Sequence, residues 1–456
     1  MLEVLADRTY RRLFAAQVIA LAGTGLLTVA LALLAYDLAG ERAGAVLGAA
    51  LAVKMIAYVG VAPLPGALAA RLPRRALLIA LDVVRAAVAL LLPFVTEVWQ
   101  VYVLIFALQS ASAAFTPTFQ ATIPDVLPDE ARYTRALSLS RLAYDLENLL
   151  SPTLAALLLS VVSYHSLFAG TAAGFLASAA LVFATRLPRP DPTRAGEAPP
   201  APFLRRLTSG ARIHLATPRL RGLLALNLAV ASAGAMVIVN TVVIVRGPLG
   251  LDEPALALAM GCFGAGSMAA ALLLPRLLDR TGDRQVMLPA ALGLGGLTVA
   301  LSAVLGAGLA GDAPADWLWP ALLCGWALLG LAWSAVQTPG GRLLRRSAHA
   351  PDRPALFAAQ FALSHACWLA TYPLAGWLGG AAGLPATMAL LGVLALLAAL
   401  VAARLWPAED PEVIPHAHPE LPPDHPHLRA AAGPHRHAHP FVIDDLHHGW
   451  PVAGRA

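Results

Sequence analysis

The residues best suited to chemistry in this 456-residue chain are crowded into its last fifty positions. Nine of the thirteen histidines lie there: His416, His418, His425, His427, His435, His437, His439, His447 and His448, with Asp444 and Asp445 among them. Histidines two apart can reach one metal ion together, and the spacings 416/418, 425/427 and 435/437/439 repeat that arrangement. Imidazole and carboxylate donors suit Ni²⁺, Zn²⁺, Cu²⁺ and Co²⁺, and the lack of Cys and Met in the segment argues against Cu(I). Donor type alone does not choose among the divalent ions, because raw affinity favours Cu²⁺ at almost any such site. The prolines of PEVIPHAHPELPPDHPHL leave the segment without a core of its own, which predicts a disordered tail in the absence of a ligand. PFVIDDLHHGW, residues 440–450, has an apolar–acidic–aromatic order suited to folding over an ion. The bland alternative is a low-complexity tail with incidental histidines. Consecutive histidines, as in an expression tag, are not the pattern here.

A second set of ionisable residues sits inside long apolar runs. Lys54, the single lysine, lies in the run 44–70; Arg141, Asp145, Glu147 and Asn148 lie in 137–161; His365 lies in 355–379. Lys54 and His365 are each about ten residues in, which is ~15 Å of helix and half of a ~30 Å hydrocarbon core. A charge at that depth costs ~2.5–3.5 kcal/mol and marks a functional candidate by default. Arg141, Asp145 and Asn148 share one helical face, while Glu147 is turned ~200° from Asp145. Two readings stay open. Arg141–Asp145 and Lys54–Glu147 are structural ion pairs, or Glu147 or Asp145 exchanges a proton or meets a cation beside Lys54. His365 reads as a core histidine or as a ligand. Asp82 and Arg85, three apart, read as a structural pair. Gln17, Gln109, Asn227, Asn240 and Gln337 are polar residues on four further runs.

The elements that must position these residues follow from composition. The chain is 58% hydrophobic and 13% charged, with mean hydropathy +0.68. A soluble domain is nearer half apolar and a quarter charged. Twelve apolar runs can be marked, at about 12–39, 44–70, 76–95, 98–122, 137–161, 165–186, 220–246, 254–276, 286–309, 317–340, 355–379 and 384–406, each near the ~20 residues that span a bilayer. The expectation is an all-α polytopic membrane protein with six spans in 1–186 and six in 220–406. A transmembrane β-barrel would show shorter, alternating segments. The segment 187–219 reads as a central loop, and 407–456 as the tail. FLRRLTSGARIHLATPRLRG in that loop has the spacing of a helix lying on a membrane surface.

The net charge of +5 is nearly all arginine. The arginines stand in short loops, so the positive-inside rule accounts for them better than nucleic acid binding does. With the N-terminus in the cytoplasm, the inner segments carry Arg8, Arg11, Arg12, Arg71, Arg74, Arg75, Arg132, Arg135, eight arginines between 186 and 221, Arg276, Arg280, Arg284, Arg342, Arg345, Arg346 and Arg353. The outer segments carry only Arg42 and Arg246. Both termini are expected in the cytoplasm of a bacterial inner-membrane protein, one functioning as a monomer. The N-terminus shows no cleavable signal peptide. Cys262, Cys324 and Cys367 stand singly and imply no disulfide framework.

The chain also repeats itself. GALAARLPRR at 66–75 aligns without gaps with PRLLDRTGDR at 275–284. PDEARYTRALSLSR and PDRPALFAAQFALSH, each beginning the loop after the fourth run of its half, are alike as well. Repeats of this kind build transporters. The two loops resemble the G-x-L-x-D-R-x-G-R-R signature of the major facilitator superfamily. The second copy matches through Leu277, Asp279, Arg280, Gly282 and Arg284; the first keeps Gly66, Leu68, Arg71, Arg74 and Arg75 but has Ala70 and Pro73 where the family has Asp and Gly. The resemblance covers residues 8–406. It implies the twelve-helix major facilitator fold, a cytoplasmic latch formed by these loops, and a central cavity bordered by the second, fifth, eighth and eleventh spans, with Gln17, Gln109, Asn227, Asn240 and Gln337 as candidates for lining it. With its tail the whole chain is similar to bacterial nickel-resistance exporters of that superfamily; the stretch from Ala35 to Leu78 also looks like the drug and siderophore exporters, which have no such tail. The resemblance implies metal efflux with nickel (then cobalt or zinc) as substrate and tail ligand, coupled to protons through Glu147 or Asp145. The runner-up is drug or siderophore efflux, and a membrane-anchored metal buffer is a third reading. The absence of a Walker A motif argues against direct ATP drive, and no enzyme motif is present.

Overall fold

The computed structural model describes residues 2–61, 73–127, isolated positions between 129 and 159, 161–185, 187, 203–278, 280–349, 352–418, 427–428, 436–444 and 446–451. Among the described residues, helices fill the apolar runs. The first half has α1 (Arg8–Ala39), α2 (Ala43–Val61), α3 (Arg74–Leu91), α4 (Val98–Val126) and α5 (Tyr164–Phe183). Between α4 and α5, the described residues Leu139, Ala143, Glu147 and Leu154 of the fifth run are helical. The connecting segment holds α6 (Phe203–Ala216). The second half has α7 (Pro218–Arg246), α8 (Glu253–Leu278), α9 (Asp283–Gly308), α10 (Leu318–Gln337), the short α11 (Gly340–Arg346), α12 (Arg353–Ala381) and α13 (Leu384–Leu405).

Local signals set the ends. Asp7 accepts from the Tyr10 N–H at 2.8 Å to start α1, and Gly40, at φ +54°, stops it. Glu97 and Gln100 form a reciprocal capping box at the start of α4. Burial then sorts the helices. The apolar window of α7 is 89% buried, that of α9 only 39%, so α7 runs through the middle and α9 faces outward. Phe94, Leu272 and Trp377 are 79%, 71% and 65% exposed. On a water-facing surface such side chains would drive association; here they form the lipid-facing belt.

The halves meet where α2 packs on α12. A Cβ at Gly48 would lie 2.4 Å from the Tyr372 carbonyl oxygen, and one at Gly376 would lie 2.2 Å from that of Gly44. Glycines four apart allow this backbone approach between membrane helices. Asn240 of α7 donates to the Ala375 carbonyl at 3.0 Å, and Arg246 sits 5.6 Å above the Tyr36 ring of α1. These contacts gather at the end of the bundle remote from the termini and close it.

Two expectations change. The amphipathic α6 forms as expected, but one face packs on α12 instead of lying free on the bilayer. A Cβ at Gly210 would lie 2.0 Å from the Ala355 carbonyl oxygen, and His214 Nε2 bonds Gln360 Oε1 at 2.7 Å. The tail is not without order where it is described. β1 (Val413–Ala417) and β2 (Arg436–Pro440) pair antiparallel, with His416 opposite His437 and Ile414 opposite His439. Phe441 and Ile443 supply the apolar core that the Pro-rich stretch lacks, by burying themselves against the helical body.

Candidate metal cage and transport site

Strand alternation puts every second residue on one face. His416 and His418 are buried while Pro415 and Ala417 are exposed, and His437 is buried opposite them. The turn residue His427 and, beyond β2, His447 complete the group. One ring nitrogen from each of His416, His418, His427, His437 and His447 lies within 4.8 Å of the others. His416 Nε2 is 3.0 Å and His418 Nε2 3.1 Å from His447 Nε2, and His437 Nε2 is 3.0 Å from His427 Nε2. The His439 ring stands beside them, 4.7 Å from that of His416 centre to centre, and its Nε2 is buried with no hydrogen-bond partner among the described residues.

The partners on the other side of these rings fix their tautomers. His416 Nδ1 is 2.9 Å from the Ile414 carbonyl and His447 Nδ1 is 2.8 Å from Asp444 Oδ1. Carbonyl and carboxylate oxygens only accept, so both Nδ1 atoms carry the proton. In the neutral rings two bare Nε2 lone pairs then face each other across 3.0 Å. A cation between them turns this repulsion into ligation, and an outer carbonyl or carboxylate holding the far nitrogen is how metal-binding histidines are usually oriented. Burial pushes His416, His427 and His437 below the ordinary imidazole value, the latter two to about 4, and the surrounding imidazoles add to the shift. Neutral rings are the ligating form. Burial alone would raise the Asp444 carboxyl, but bonds from the His447 ring and from the His447 and Leu446 N–H groups hold it well below the usual range.

Not every expected ligand belongs to the cage. Asp444 acts one bond removed, on His447, because its Oδ1 takes that ring and two backbone N–H groups. His448 is exposed, since the residue after His447 points the other way. His425, His435 and Asp445 lie outside the described residues.

The tail is tied to the second half. Asp410 takes Arg219 at 3.0 Å, Arg346 at 2.6 Å and the Trp406 indole N–H at 3.1 Å. Trp450 lies under the Arg219 guanidinium at 5.1 Å. Asp283, 5% exposed at its side chain, takes Arg342 at 2.5 Å. These acids were not singled out from sequence, where nothing marks the arginines that each meets.

The repeated loops act within their own halves. Arg75 donates to the Phe183 carbonyl and lies over that ring at 4.9 Å. Arg284, its counterpart in the repeat, donates to the Trp406 and Ala403 carbonyls at 2.9 and 3.2 Å. Each arginine thus caps the negative end of the sixth span of its half. In this structure these two arginines each form a clasp inside their own half. Arg280 is exposed in the turn, Gly282 precedes α9, and Arg74 opens α3. Gly66, Arg71 and Asp279 lie outside the described residues.

At mid-depth Lys54 and Glu147 lie within electrostatic reach of each other, as do Lys54 and His365. The Lys54 ammonium is 5.6 Å from the Tyr58 ring centre, and Tyr58 meets His365 at 5.4 Å and Phe361 at 5.8 Å. His365 Nδ1 donates to the Phe361 carbonyl at 2.7 Å, which leaves Nε2 as the basic nitrogen. Tyr58 escaped the sequence reading, although it stands one helical turn after Lys54. Arg141, Asp145 and Asn148 lie outside the described residues. Asp82 and Arg85 form the expected buried pair, with Arg85 between Phe115 and Phe175 at 4.2 and 4.4 Å.

The Major Facilitator Superfamily model matches residues 13–243 and, a second time, 223–441. The chain belongs to the Major Facilitator Superfamily. It is therefore a membrane transporter and not an enzyme. The uncharacterized MFS-type transporter YfiS of Bacillus subtilis (strain 168) is 30% identical over 121 residues, which cover 26% of this chain and 29% of that protein. The match thus spans less than a third of the relative's length. Among solved structures, a bacterial homolog of the human lysosomal transporter Spinster, inward-facing and unoccupied, has TM-score 0.65 at 13% identity, covering 88% of this chain and 97% of that one. The nucleoside transporter NupG has TM-score 0.64 at 14% identity, covering 87% and 98%. A D-xylose–proton symporter has 0.61 at 16%, covering 88% and 98%. At these identities the likeness shows the fold alone.

Proposed function

We propose that the protein is a secondary exporter of a divalent transition metal, nickel foremost and cobalt next. Protons entering the cell drive it, and it sits in a bacterial cytoplasmic membrane with both termini and the tail inside. The observation that carries this reading is the cage of five converging imidazoles, with a sixth beside it, docked at the end of the bundle that this reading turns toward the cytoplasm. At metal–nitrogen bonds of ~2.1 Å, ligands 90° apart are ~3.0 Å from each other and tetrahedral ligands ~3.4 Å. Three of the separations are 3.0 to 3.1 Å and the five nitrogens lie within 4.8 Å of one another, a donor set that suits a divalent transition ion without choosing among nickel, cobalt and zinc.

In this reading the tail gathers ions beside the cavity mouth, raising their local concentration by tethering. Glu147 alternates between two neutralising partners, the Lys54 ammonium and a proton, as the halves rock about the midplane. His365, beside Tyr58 and within electrostatic reach of Lys54, offers its Nε2 as the candidate contact for a passing ion.

One observation favours drug or siderophore export instead. Trp333 packs edge-on to Phe263 at 5.9 Å, near Trp368, and its indole N–H is buried without a partner among the described residues. Aromatic walls and a fixed ammonium suit an organic anion. Cellular nickel in cells making the full chain, with cobalt, zinc and copper in parallel, separates the two. Lower nickel with better growth in nickel supports metal export. Unchanged levels of all four metals refute it and turn attention to dye and siderophore efflux.

A further inference from the structure

We propose that metal loading of the cage docks the tail onto the second half, with Asp444 as the joint, so that the tail reports cytoplasmic metal to the transporter. The proposal rests on the cage binding metal.

Asp444 is shared between the cage and the body. Its Oδ1 holds the His447 ring at 2.8 Å, its Oδ2 faces His349 Nε2 at 3.5 Å, and its backbone carbonyl takes Arg212 at 3.2 Å. His349 belongs to the segment between α11 and α12, and Arg212 to α6, which packs on α12. One carboxylate and its own carbonyl therefore join a cage histidine to two elements at the base of one spanning helix. That helix carries Phe361 and His365, which lie against Tyr58 of α2 in the other half.

Folding of the cage and docking of the tail are a single event in this geometry. Phe441 and Ile443 follow β2 directly and bury themselves in the helical core, while Asp444 and His447 follow within four residues. Pairing His416 with His437 across the strands sets where Phe441 begins. Without a cation, the facing lone pairs of His416 and His447 oppose this arrangement; with one, they hold it. A ligand that favours one arrangement stabilises everything that depends on it. The docking contacts named here reach α6, α7 and the α11–α12 segment, so the tail moves with the second half and not across the gap between halves.

The experiment compares full-length protein in lipid nanodiscs with a double variant, His349→Ala and Arg212→Ala, neither of which supplies a cage ligand. Hydrogen exchange is followed with and without NiCl₂, and Ni²⁺ binding is titrated separately. The expected result is that Ni²⁺ slows exchange in the tail and also in 203–216 and 346–353 of the parent, by about tenfold. In the double variant Ni²⁺ is still expected to bind, but more weakly, because docking and binding are linked, and slowing is confined to the tail. Slowing confined to the tail in the parent overturns the proposal and leaves a tethered store. Equal slowing of α6 in both proteins also overturns it, by removing Asp444 as the joint. Absence of Ni²⁺ binding in the titration would instead overturn the cage reading beneath it.

Discussion

Replacing Gly376 with Ala tests the closed end of the bundle. The added Cβ would sit 2.2 Å from the Gly44 carbonyl oxygen, 2.8 Å from its carbon and 2.9 Å from Ala45 Cα. All three atoms are backbone, so no side chain can turn aside. A carbon–oxygen contact needs ~3.2 Å, and α2 and α12 must part by ~1 Å, at an overpacking cost of about 1–3 kcal/mol. That cost falls only on the state in which these faces touch. At 1.4 kcal/mol per tenfold, the equilibrium moves about 5- to 150-fold toward the state open at this end. Spin labels at Glu41→Cys and Pro248→Cys, with Cys262, Cys324 and Cys367 replaced by Ser, read the separation across the gap. The wild-type background should give a short distance, and the Gly376→Ala background a longer one at the expense of the short. An unchanged distribution in a folded variant would refute the claim that backbone contact between these helices holds the end shut.

Glu147→Gln should keep the protein folded and lodged in membranes but abolish proton-coupled export, read as substrate uptake into energised inverted vesicles; undiminished uptake would remove Glu147 as the carrier. Asp444→Asn keeps the shape around His447 but not the charge, and metal affinity should fall about 10- to 100-fold, the usual cost of losing a group that orients a ligating histidine; titration calorimetry checks this. Since His416, His427 and His437 are held below 6.5, the last two at about 4, the unfolded tail takes up protons between pH 6.5 and 4 that the folded tail refuses. Tail folding should therefore weaken as pH falls through that window and be fully present above it, with Trp450 fluorescence as the readout. Arg284→Ala removes a cap on the last helix, and detergent-solubilised protein should lose about 0.3–1 kcal/mol of stability, measured by thermal unfolding.

Much of this was legible in advance because a bilayer imposes a length scale. Apolar runs near twenty residues became helices, and counting ~1.5 Å per residue brought Lys54, Glu147 and His365 to one depth. Periodicity also revealed α6, although not that Gly210 would seat it on α12. What stayed hidden depends on contacts between residues far apart in sequence. Asp410 and Asp283 have no partner marked in the sequence until the fold brings Arg219, Arg342 and Arg346 to them. Asp444 looked like a ligand because a carboxylate beside histidines reads the same whether it meets the ion or orients the ring that does. The order of the tail was missed because its core is borrowed: Phe441 and Ile443 find their apolar partners in the helical body, which the composition of the tail cannot disclose.

The two matched arginine clasps also bear on how the chain is made. Arg75 grips Phe183 and Arg284 grips Trp406, so each half fastens its third span to its own last helix. The first half then has this fastening once residue 185 has left the ribosome. At synthesis rates of about 5–20 residues per second, the second half is still being made for roughly another 10–40 s. The nascent first half need not wait for it in an unfinished state, and the two halves should assemble when encoded as separate polypeptides.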